Sequence, residues 1–282
     1  MIVFLNGQFV PEEQATVSVF DRGFLYGDGL FETMLVANGK PFRWHQHLSR
    51  FLGGAHFLKL QLPFTIEQLA ASADELIRRN NISEGILRLT LSRGKGPRGY
   101  SIRAADHPTV VISLHPSPNR NAGSVKAWRL ITSSVRIPAA DPLAAFKTSN
   151  KLPQILARCE ADAAGVDEAL VSNTDGWVVE GASSNLFWIQ KGNVCTSPTP
   201  SGVLPGVTRA VIIELCKKLQ IPTWKACIKP EQLLQTEGVF LSLSSLGIIP
   251  ASELDQKPLS QSPVTEQLMA AYTKLVRAET QG

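Results

Sequence analysis

The chain has 282 residues, 44% of them hydrophobic, and its 28 lysines and arginines against 24 aspartates and glutamates give a formal net charge of +4. This composition excludes a largely disordered chain, and the absence of any run of basic residues argues against a nucleic-acid partner. At roughly 100–200 residues per domain, the length predicts one large or two modest domains.

The start of the chain and its cysteines predict a cytoplasmic protein. Met1 leads directly into an apolar, strand-like run, and no stretch of 18 or more apolar residues follows, so we expect no secretion signal and no membrane partner. No pair of cysteines has the spacing of metal ligands or of a disulfide framework. We therefore expect free thiols in a reducing compartment and no metal site. The cysteines are Cys159, Cys195, Cys216 and Cys227.

The first third of the chain predicts strands joined by tight turns, followed by helices. Asn6-Gly7 and Asn38-Gly39 each separate two apolar runs, which is a strong hairpin signal. Helical spacing of apolar residues predicts helices over 47–60 and 65–80. Residues 86–92 and 109–114 then have the composition of strands.

A segment rich in proline, serine and asparagine, residues 116–123, predicts a linker. We place the domain boundary there. The prediction is a small N-terminal α/β domain over 1–116, a linker over 117–123, and a larger C-terminal α/β domain over 124–282.

The second part again mixes strands and helices. Apolar spacing predicts helices over 150–164, 207–219 and 263–278. Asp175-Gly176 joins strands predicted at 168–172 and 177–180, and residues 191–193 join strands at 186–190 and 194–197. A short strand is predicted at 239–243.

Residues 94–99 match the spacing GxGxxG of dinucleotide-binding proteins. That motif requires a helix to begin within it, with its first amides facing a pyrophosphate. Pro97 interrupts such a helix, and the residues that follow do not start one. We interpret the segment as a glycine-rich loop that brings Arg98 and Tyr100 towards an anion. A surface arginine would have the same local sequence.

Three later features suit amino-acid chemistry. Lys147 follows apolar residues, and a partly desolvated lysine can bind an aldehyde through its amine. Glu180 ends an apolar strand, where a carboxylate could keep a pyridine ring protonated. Residues 204–208 lead into a helix, whose first amides and the Thr208 hydroxyl could bind a phosphate. Taken singly, they could equally be a surface lysine, a turn glutamate and an ordinary helix start.

Together these features resemble the class IV aminotransferase family, the fold-type IV enzymes of pyridoxal 5'-phosphate (PLP). The resemblance runs from Asp21-Arg22-Gly23 to the last helix and is densest over 147–209. It implies an α/β (α+β) fold of two domains with PLP in the cleft between them, and a homodimer. Lys147 would be the PLP lysine, Glu180 would face the pyridine nitrogen and Leu204 would pack on the ring. The phosphate would be bound by Arg50, Val207, Thr208 and Ser244.

Within that family, several segments resemble the 4-amino-4-deoxychorismate lyases. Residues 93–101 are similar to their RGxGxRGYS loop, and Thr33 stands where they have an active-site threonine. Other features are more similar to aminotransferases, among them residues 181–185 and Glu32 before Thr33. Tyr100 and Phe31 replace a histidine and a tyrosine of D-amino-acid aminotransferases. The resemblance also implies a substrate pocket formed by Arg98, Tyr100, Tyr26 and Phe31.

The sequence therefore predicts a PLP-dependent lyase that forms 4-aminobenzoate and pyruvate, with Lys147 as general base and Thr33 assisting proton delivery. The alternative is an aminotransferase acting on D-amino acids or branched-chain amino acids with a 2-oxoacid acceptor. A remote alternative is a protein that binds PLP without catalysis. The expected partners are a small amino substrate and a second copy of the chain.

Overall fold

The computed structural model describes residues 1–117 and 125–281, and the chain forms two compact units. The first unit comprises Met1–Pro118, Phe146–Asn150 and Val276–Gly282, and the second comprises Asn119–Ala145 and Lys151–Leu275. Apart from Ser117, the linker predicted over 117–123 lies outside the described residues.

The first unit is an antiparallel sheet with helices. Its strands run in the order β2-β1-β6-β5-β3-β4. The elements in chain order are β1 (Ile2–Leu5), β2 (Gln8–Pro11), α1 (Arg22–Tyr26), β3 (Gly29–Ala37), β4 (Lys40–Pro41), α2 (Trp44–Phe57), α3 (Ile66–Asn80), β5 (Gly85–Lys95) and β6 (His107–Pro116).

Two tight turns set the register of the outer strands. Asn6 and Gly7 have φ values of 49° and 91°, and Asn38 and Gly39 have φ values of 49° and 74°. Positive φ at both central residues matches the right-handed twist of paired strands, and asparagine and glycine adopt it at low cost. Both predicted hairpins are confirmed, with β1 paired to β2 and β3 paired to β4.

The core of the first unit lies where α2 and α3 pack on the sheet. Leu48 and Phe51 of α2 and Leu69 and Leu76 of α3 are almost fully buried against strand residues such as Met34. Helix α3 begins with a capping box, in which Thr65 and Gln68 satisfy each other's backbone N–H groups. Helix α2 begins at Trp44, three residues before the predicted start.

A short piece of later sequence completes the edge of β3. The Phe31 amide donates to the Lys147 carbonyl and the Ser149 amide donates to the Gly29 carbonyl, each over 2.9 Å. Leu30 and Thr148 form an antiparallel bridge between these two hydrogen bonds. The backbone of Lys147 is thereby held by strand pairing rather than by a mobile loop.

The second unit contains a nine-stranded sheet. Its elements in chain order are β7 (Trp128–Ile137), α4 (Leu152–Ala163), β8 (Glu168–Asn173), β9 (Val178–Gly181), β10 (Asn185–Gln190), β11 (Asn193–Thr196), α5 (Val207–Lys218), β12 (Thr223–Lys225), α6 (Pro230–Leu233), β13 (Gly238–Leu243), β14 (Gly247–Leu254), β15 (Lys257–Pro258) and the start of α7 (Pro263–Thr280).

This sheet closes on itself. The strands follow the order β12-β11-β10-β13-β14-β7-β8-β9, and β9 also pairs with β10 through Glu180 and Asn185. The inner side of the closed part is filled by apolar side chains such as Leu170, Leu186 and Leu241, each fully buried. Strand β9 and the start of β10, which carry the Glu180 motif, therefore belong to a rigid part of the unit.

Two further features concern the whole described chain. Among the described residues, no helix combines the length and the apolar character that crossing a membrane requires. All four cysteines are free, with Cys159 and Cys227 exposed and the other two buried. Burial raises the pKa of the Cys216 thiol to about 11, so it stays protonated at neutral pH.

Candidate functional site

Lys147 lies beside an aromatic ring and an arginine within the first unit. It is half-buried, and its Nζ atom lies 4.7 Å from the centroid of the Phe31 ring. The Cζ atom of Arg88 lies 3.8 Å from the same centroid. The Nζ atom of Lys147 and the Cζ atom of Arg88 therefore lie near the same ring, and the distance between these two atoms cannot exceed the sum of their distances to its centroid.

Strand register explains why Arg88 reaches Phe31. In the β3–β5 pair, Phe31 stands opposite Thr90 and Thr33 stands opposite Arg88. Alternate residues of a strand share a face, so these side chains project from one side of the sheet. Thr33, the predicted assistant in proton transfer, is thus the cross-strand neighbour of Arg88.

Arg88 was not among the residues chosen from the sequence. Burial lowers the pKa of its guanidinium. The ion pairs found among the described residues include none for Arg88, so its charge has no carboxylate neighbour at pairing distance. An arginine inside the apolar run 86–92 was the one sequence signal that marked it.

Arg50, the predicted phosphate arginine, is held by Glu32, which His47 contacts in turn. Its Nε atom donates to Oε1 of Glu32 over 2.8 Å and its Nη2 atom donates to Oε2 over 2.7 Å. His47, one turn earlier on α2, lies 2.7 Å from the same Oε2 through Nδ1. Glu32 and His47 are almost fully buried, with 1% and 2% of their surfaces exposed.

The protonation states in this cluster follow from burial and pairing. Burial alone would raise the pKa of Glu32, but hydrogen bonds from His47 and Arg50 outweigh it and lower that pKa to about 2. Burial lowers the pKa of His47 despite its carboxylate neighbour. At neutral pH Glu32 is thus ionised and His47 is neutral, with Nδ1–H donating to the carboxylate.

Three of the four predicted substrate residues lie on or beside the glycine-rich loop. The Tyr26 hydroxyl accepts a hydrogen bond from the Gly99 amide over 3.1 Å, and its ring meets that of Tyr100 at 5.6 Å between centroids. Arg98 is exposed, and Tyr100 is 87% exposed. The fourth residue, Phe31, lies with Lys147 instead. No helix occurs within residues 94–106, all of which are described.

Arg22 anchors that loop from α1. Its guanidinium donates to the Gly99 carbonyl over 2.7 Å and to the Asp28 carboxylate over 2.9 Å. Arg93 donates to the same carboxylate over 2.8 Å. Arg22 is only 3% exposed, so the loop is attached to a buried charge network.

In the second unit, Glu180 and Asn185 hold the backbone of Leu204. The Leu204 amide donates to Oε2 of Glu180 over 3.1 Å, and Nδ2 of Asn185 donates to the Leu204 carbonyl over 2.9 Å. The structure therefore brings Glu180 and Leu204 together. Asn185 was missed as an individual residue, although the motif 181–185 contains it.

The start of α5 follows directly. Gly206 is the N-cap residue and makes no side-chain capping bond, while Val207 and Thr208 are buried. Uncapped amides in the first turn of a helix can donate to an anion. Ser244 lies half-buried in the turn between β13 and β14.

A buried carboxylate supports the turn that follows Glu180. Oε2 of Glu168 accepts hydrogen bonds from the Ser183 hydroxyl over 2.6 Å and from the Ser184 hydroxyl over 3.2 Å. Glu168 has none of its surface exposed. In sequence it stands between Asp167 and Ala169, which do not indicate a buried position, so only the fold shows that it faces the serines.

The chemical types of these groups fit PLP. An amine on a strand-held lysine suits the aldehyde, and the Arg50 guanidinium and the uncapped start of α5 suit a phosphate. A carboxylate at the end of β9 suits a pyridine nitrogen. The chain thus contains residues suited to the aldehyde, the phosphate and the pyridine nitrogen of this cofactor.

Comparison with known proteins agrees with this chemistry. The sequence model described as "Amino-transferase class IV" matches residues 29–254. A protein of Methanocaldococcus jannaschii named "Putative branched-chain-amino-acid aminotransferase" is 35% identical over 94% of this chain and 92% of its own length. A D-alanine aminotransferase of Staphylococcus epidermidis is 31% identical over 99% of both chains.

Solved structures show the same similarity in three dimensions. A branched-chain amino acid aminotransferase of Escherichia coli superimposes with a TM-score of 0.93 and 27% identity, covering 99% of this chain and 96% of its own. A protein of Legionella pneumophila described as "Putative 4-amino-4-deoxychorismate lyase" superimposes with a TM-score of 0.86 and 27% identity, covering 93% and 96%. The fold is therefore compatible with both reactions considered from the sequence.

Proposed function

Because this chain belongs to the class IV aminotransferase family and is a PLP-dependent enzyme, we propose that it transfers the amino group of an α-amino acid to a 2-oxoacid. One observation carries the proposal: the relatives that match almost the whole chain at 31% identity or more are named as aminotransferases. Their names point to branched-chain amino acids or D-alanine as donors.

We assign one role in cofactor binding to each of several residues that the sequence motifs contain. Lys147 would bind the aldehyde, Glu180 would hold a proton on the pyridine nitrogen, and Leu204 would pack on the ring. Arg50, Val207, Thr208 and Ser244 would bind the phosphate. The cofactor, when bound, supplies an electron sink for the bonds at Cα of the substrate.

The chain's own residues would then perform the proton transfers. The Lys147 amine would be the general base that takes the proton from Cα of the substrate. Thr33 assists proton delivery from the same face of β3. Phe31 limits the space around the Lys147 amine, and Tyr26, Arg98 and Tyr100 contribute to substrate binding.

Replacing Lys147 with alanine tests this assignment. We expect the Lys147→Ala variant to lose turnover and the visible absorbance of the bound cofactor. Turnover at the wild-type rate would contradict the assignment of the lysine.

The Arg98→Ala variant should raise the KM for an anionic substrate, and an unchanged KM would remove Arg98 from the pocket.

The lyase reaction predicted from the sequence is the second candidate. It is supported by the RGxGxRGYS-like loop at 93–101, by Thr33 and by the similarity to the Legionella protein. Up to proton removal the two reactions use the same residues, so the sequence motifs alone separate them poorly. In the lyase, the substrate ring would aromatise as pyruvate leaves.

One pair of assays decides between the candidates. The PLP-loaded protein is mixed with D-alanine or L-leucine and 2-oxoglutarate, and separately with 4-amino-4-deoxychorismate. We expect glutamate to form in the first assay. Release of 4-aminobenzoate and pyruvate in equal amounts, without amino transfer, would instead establish the lyase.

We also propose a homodimer in the cytoplasm. Phe20 and Phe24 are 66% and 74% exposed in the segment around α1, where Val19 and Leu25 are exposed as well. Several large apolar side chains in one exposed segment are typical of a protein interface. Sedimentation velocity should give a dimer for the wild type and a monomer for Phe24→Asp, and a wild-type monomer would refute the proposed dimer.

The free cysteines are consistent with a reducing compartment such as the cytoplasm.

A further inference from the structure

Glu32 and Arg50 form a two-point ion pair between β3 and α2. Nε of Arg50 lies 2.8 Å from Oε1 of Glu32, and Nη2 lies 2.7 Å from Oε2. In this geometry both oxygens of the carboxylate and one edge of the guanidinium are engaged, so the guanidinium plane is defined.

His47 prevents the carboxylate from turning. Its Nδ1 atom lies 2.7 Å from Oε2 of Glu32, and its ring is almost fully buried on α2. Oε2 therefore accepts from two donors on successive turns of one helix, while Oε1 accepts from Arg50. Helix α2 thus holds the Glu32 carboxylate through His47, and the carboxylate in turn holds the Arg50 guanidinium.

We propose that Glu32, itself held by His47, is a positioning residue that sets the orientation in which Arg50 binds the phosphate group of the cofactor. This inference rests on the role of Arg50 in the proposed function. It assigns no contact with the cofactor to Glu32. In the sequence, Glu32 is only a feature shared with aminotransferases.

Charge alone does not explain the pairing. A carboxylate beside Arg50 offsets the positive charge that would attract a phosphate over a distance. The pairing is useful to an anion site because an oriented guanidinium loses little freedom when it binds. The low pKa of Glu32 keeps this arrangement intact across the neutral range. Loss of Glu32 should therefore affect ligands that carry the phosphate and spare those that do not.

The test compares two ligands that differ only in the phosphate. The full-length chain is freed of cofactor and titrated with PLP and with pyridoxal, and the ratio of the two Kd values is determined. The variants are Arg50→Gln and Glu32→Gln. The matched control is Glu75→Gln, because Glu75 forms the same fork with Arg78 on the exposed side of α3, over 2.8 and 2.7 Å.

We expect both Arg50→Gln and Glu32→Gln to weaken PLP binding by about tenfold or more, with little change in pyridoxal binding. The Glu75→Gln variant should bind both ligands as the wild type does. If Arg50→Gln reduces the preference for PLP and Glu32→Gln does not, the positioning role is refuted while the role of Arg50 stands. If Arg50→Gln has no effect, the proposed phosphate site itself is wrong.

A second variant covers the case in which Glu32→Gln does not fold. Glu32→Asp keeps the charge and shortens the side chain by one methylene group, so it withdraws the carboxylate from Arg50. We expect it to lower the preference for PLP over pyridoxal as well. A preference equal to that of the wild type would overturn the proposal.

Discussion

The Glu180 carboxylate accepts a hydrogen bond from the backbone amide of Leu204, and Asn185, its partner across the β9–β10 turn, donates to the carbonyl of the same residue. The amide and the carbonyl of Leu204 are thus each held by one side chain, and the two residues that supply these side chains pair with each other in the sheet. The approach to α5 is fixed by this arrangement, because Gly206 follows Leu204 by only two residues.

Replacing Gly206 with alanine should disturb this arrangement. The added Cβ would lie 1.9 Å from Oδ1 of Asn185, far inside the contact distance, although the φ of −62° suits any residue. Asn185 must then move away from Leu204. We expect a loss of about 1–3 kcal/mol in the free energy of unfolding, measured in urea, and a weaker affinity for PLP.

A helical glycine provides the control for that variant. A Cβ on Gly53 in α2 would lie 3.8 Å from the Phe146 ring, which is an ordinary contact. Gly53→Ala should stabilise the protein by up to about 1 kcal/mol through helix propensity. If both variants unfold at the wild-type urea concentration, the close packing of Gly206 on Asn185 is not a constraint in solution.

The Glu32–His47 pair predicts how stability depends on pH. His47 has a lowered pKa in the folded protein, so the unfolded chain binds more protons and stability falls as the pH drops below about 6.5. Glu32 has a pKa of about 2 instead of 4.5, so its contribution is complete above pH 4.5 and is lost as the pH falls towards 2. That contribution is on the order of 3 kcal/mol.

Urea unfolding between pH 8 and pH 3 measures both effects. We expect His47→Gln to flatten the profile just below about pH 6.5, and Glu32→Gln to flatten it below pH 4.5. Glu75 on α3 also has a pKa of about 2, but it is exposed to solvent that screens its ion pairs, so Glu75→Gln should change the profile little. Parallel profiles for all the proteins would show that the buried pair does not titrate with unfolding.

Arg88 should bind a substrate carboxylate. Its guanidinium lies over the ring that also contacts Lys147, and hydrogen bonds to charged groups contribute about 1.5–3 kcal/mol. Arg88→Gln should therefore raise the KM for an amino acid by about tenfold to a hundredfold, and Arg88→Lys should restore part of the loss. An amine without a carboxylate should react equally with all three proteins.

The control for Arg88 is an arginine on the surface. Arg78, with 72% of its side chain exposed, pairs with Glu75 on α3, and Arg78→Gln should retain the wild-type KM. If Arg88→Gln raised the KM for the simple amine as much as for the amino acid, the arginine would be needed for packing on Phe31 rather than for binding a carboxylate.

Arg22 should control the order of the glycine-rich loop. Through its hydrogen bonds to the Gly99 carbonyl and to the Asp28 carboxylate, it links the tip of the loop to Asp28. In the Arg22→Gln variant we expect faster amide exchange and faster proteolysis at residues 96–101. Arg103, exposed in the same region, offers the comparison, because Arg103→Gln removes a charge without an anchor. Equal exchange rates in the two variants would refute the anchoring role.

Much of the fold could be predicted because its local signals are strong. Asn6-Gly7 and Asn38-Gly39 adopt positive φ and form the predicted hairpins, and the helix predicted over 65–80 spans Ile66–Asn80 with Thr65 as its N-cap. The start of α2 was missed because Arg43 before it has a φ of 58° and pairs with Glu279 near the other end of the chain. No local pattern contains that contact.

Strands β7 and β14 were not predicted, and α1 was not either. Strand β7 pairs in parallel with both β14 and β8, and its register shifts in each pair, so its burial does not follow a simple alternation. Pro250 weakens the sequence signal for a strand at β14, because proline is rare inside strands, but in the structure it pairs with Phe240. Such strands are specified by their neighbours rather than by their own residues.

Some residues of the candidate site could likewise be predicted from the sequence, and others could not. Lys147 and Glu180 could be found because each stands in a compact motif whose residue types suit the chemistry. Arg88 and Glu32 could not, because their roles depend on which residues lie opposite or above them in the folded sheet. Thr33 facing Arg88 is a matter of strand register, and Glu32 meeting Arg50 depends on how α2 crosses β3.

The pairing of residues 147–149 with the start of β3 has a consequence for the newly made chain. When the ribosome has released only the first 117 residues, the edge of β3 at Gly29–Phe31 lacks its hydrogen-bonding partner, and Asn38 and Arg43 still lack Thr280 and Glu279. The N-terminal unit therefore cannot be finished until residues 279 and 280 have been made. A premature stop before residue 276 would leave the beginning of the protein incomplete, not only its end.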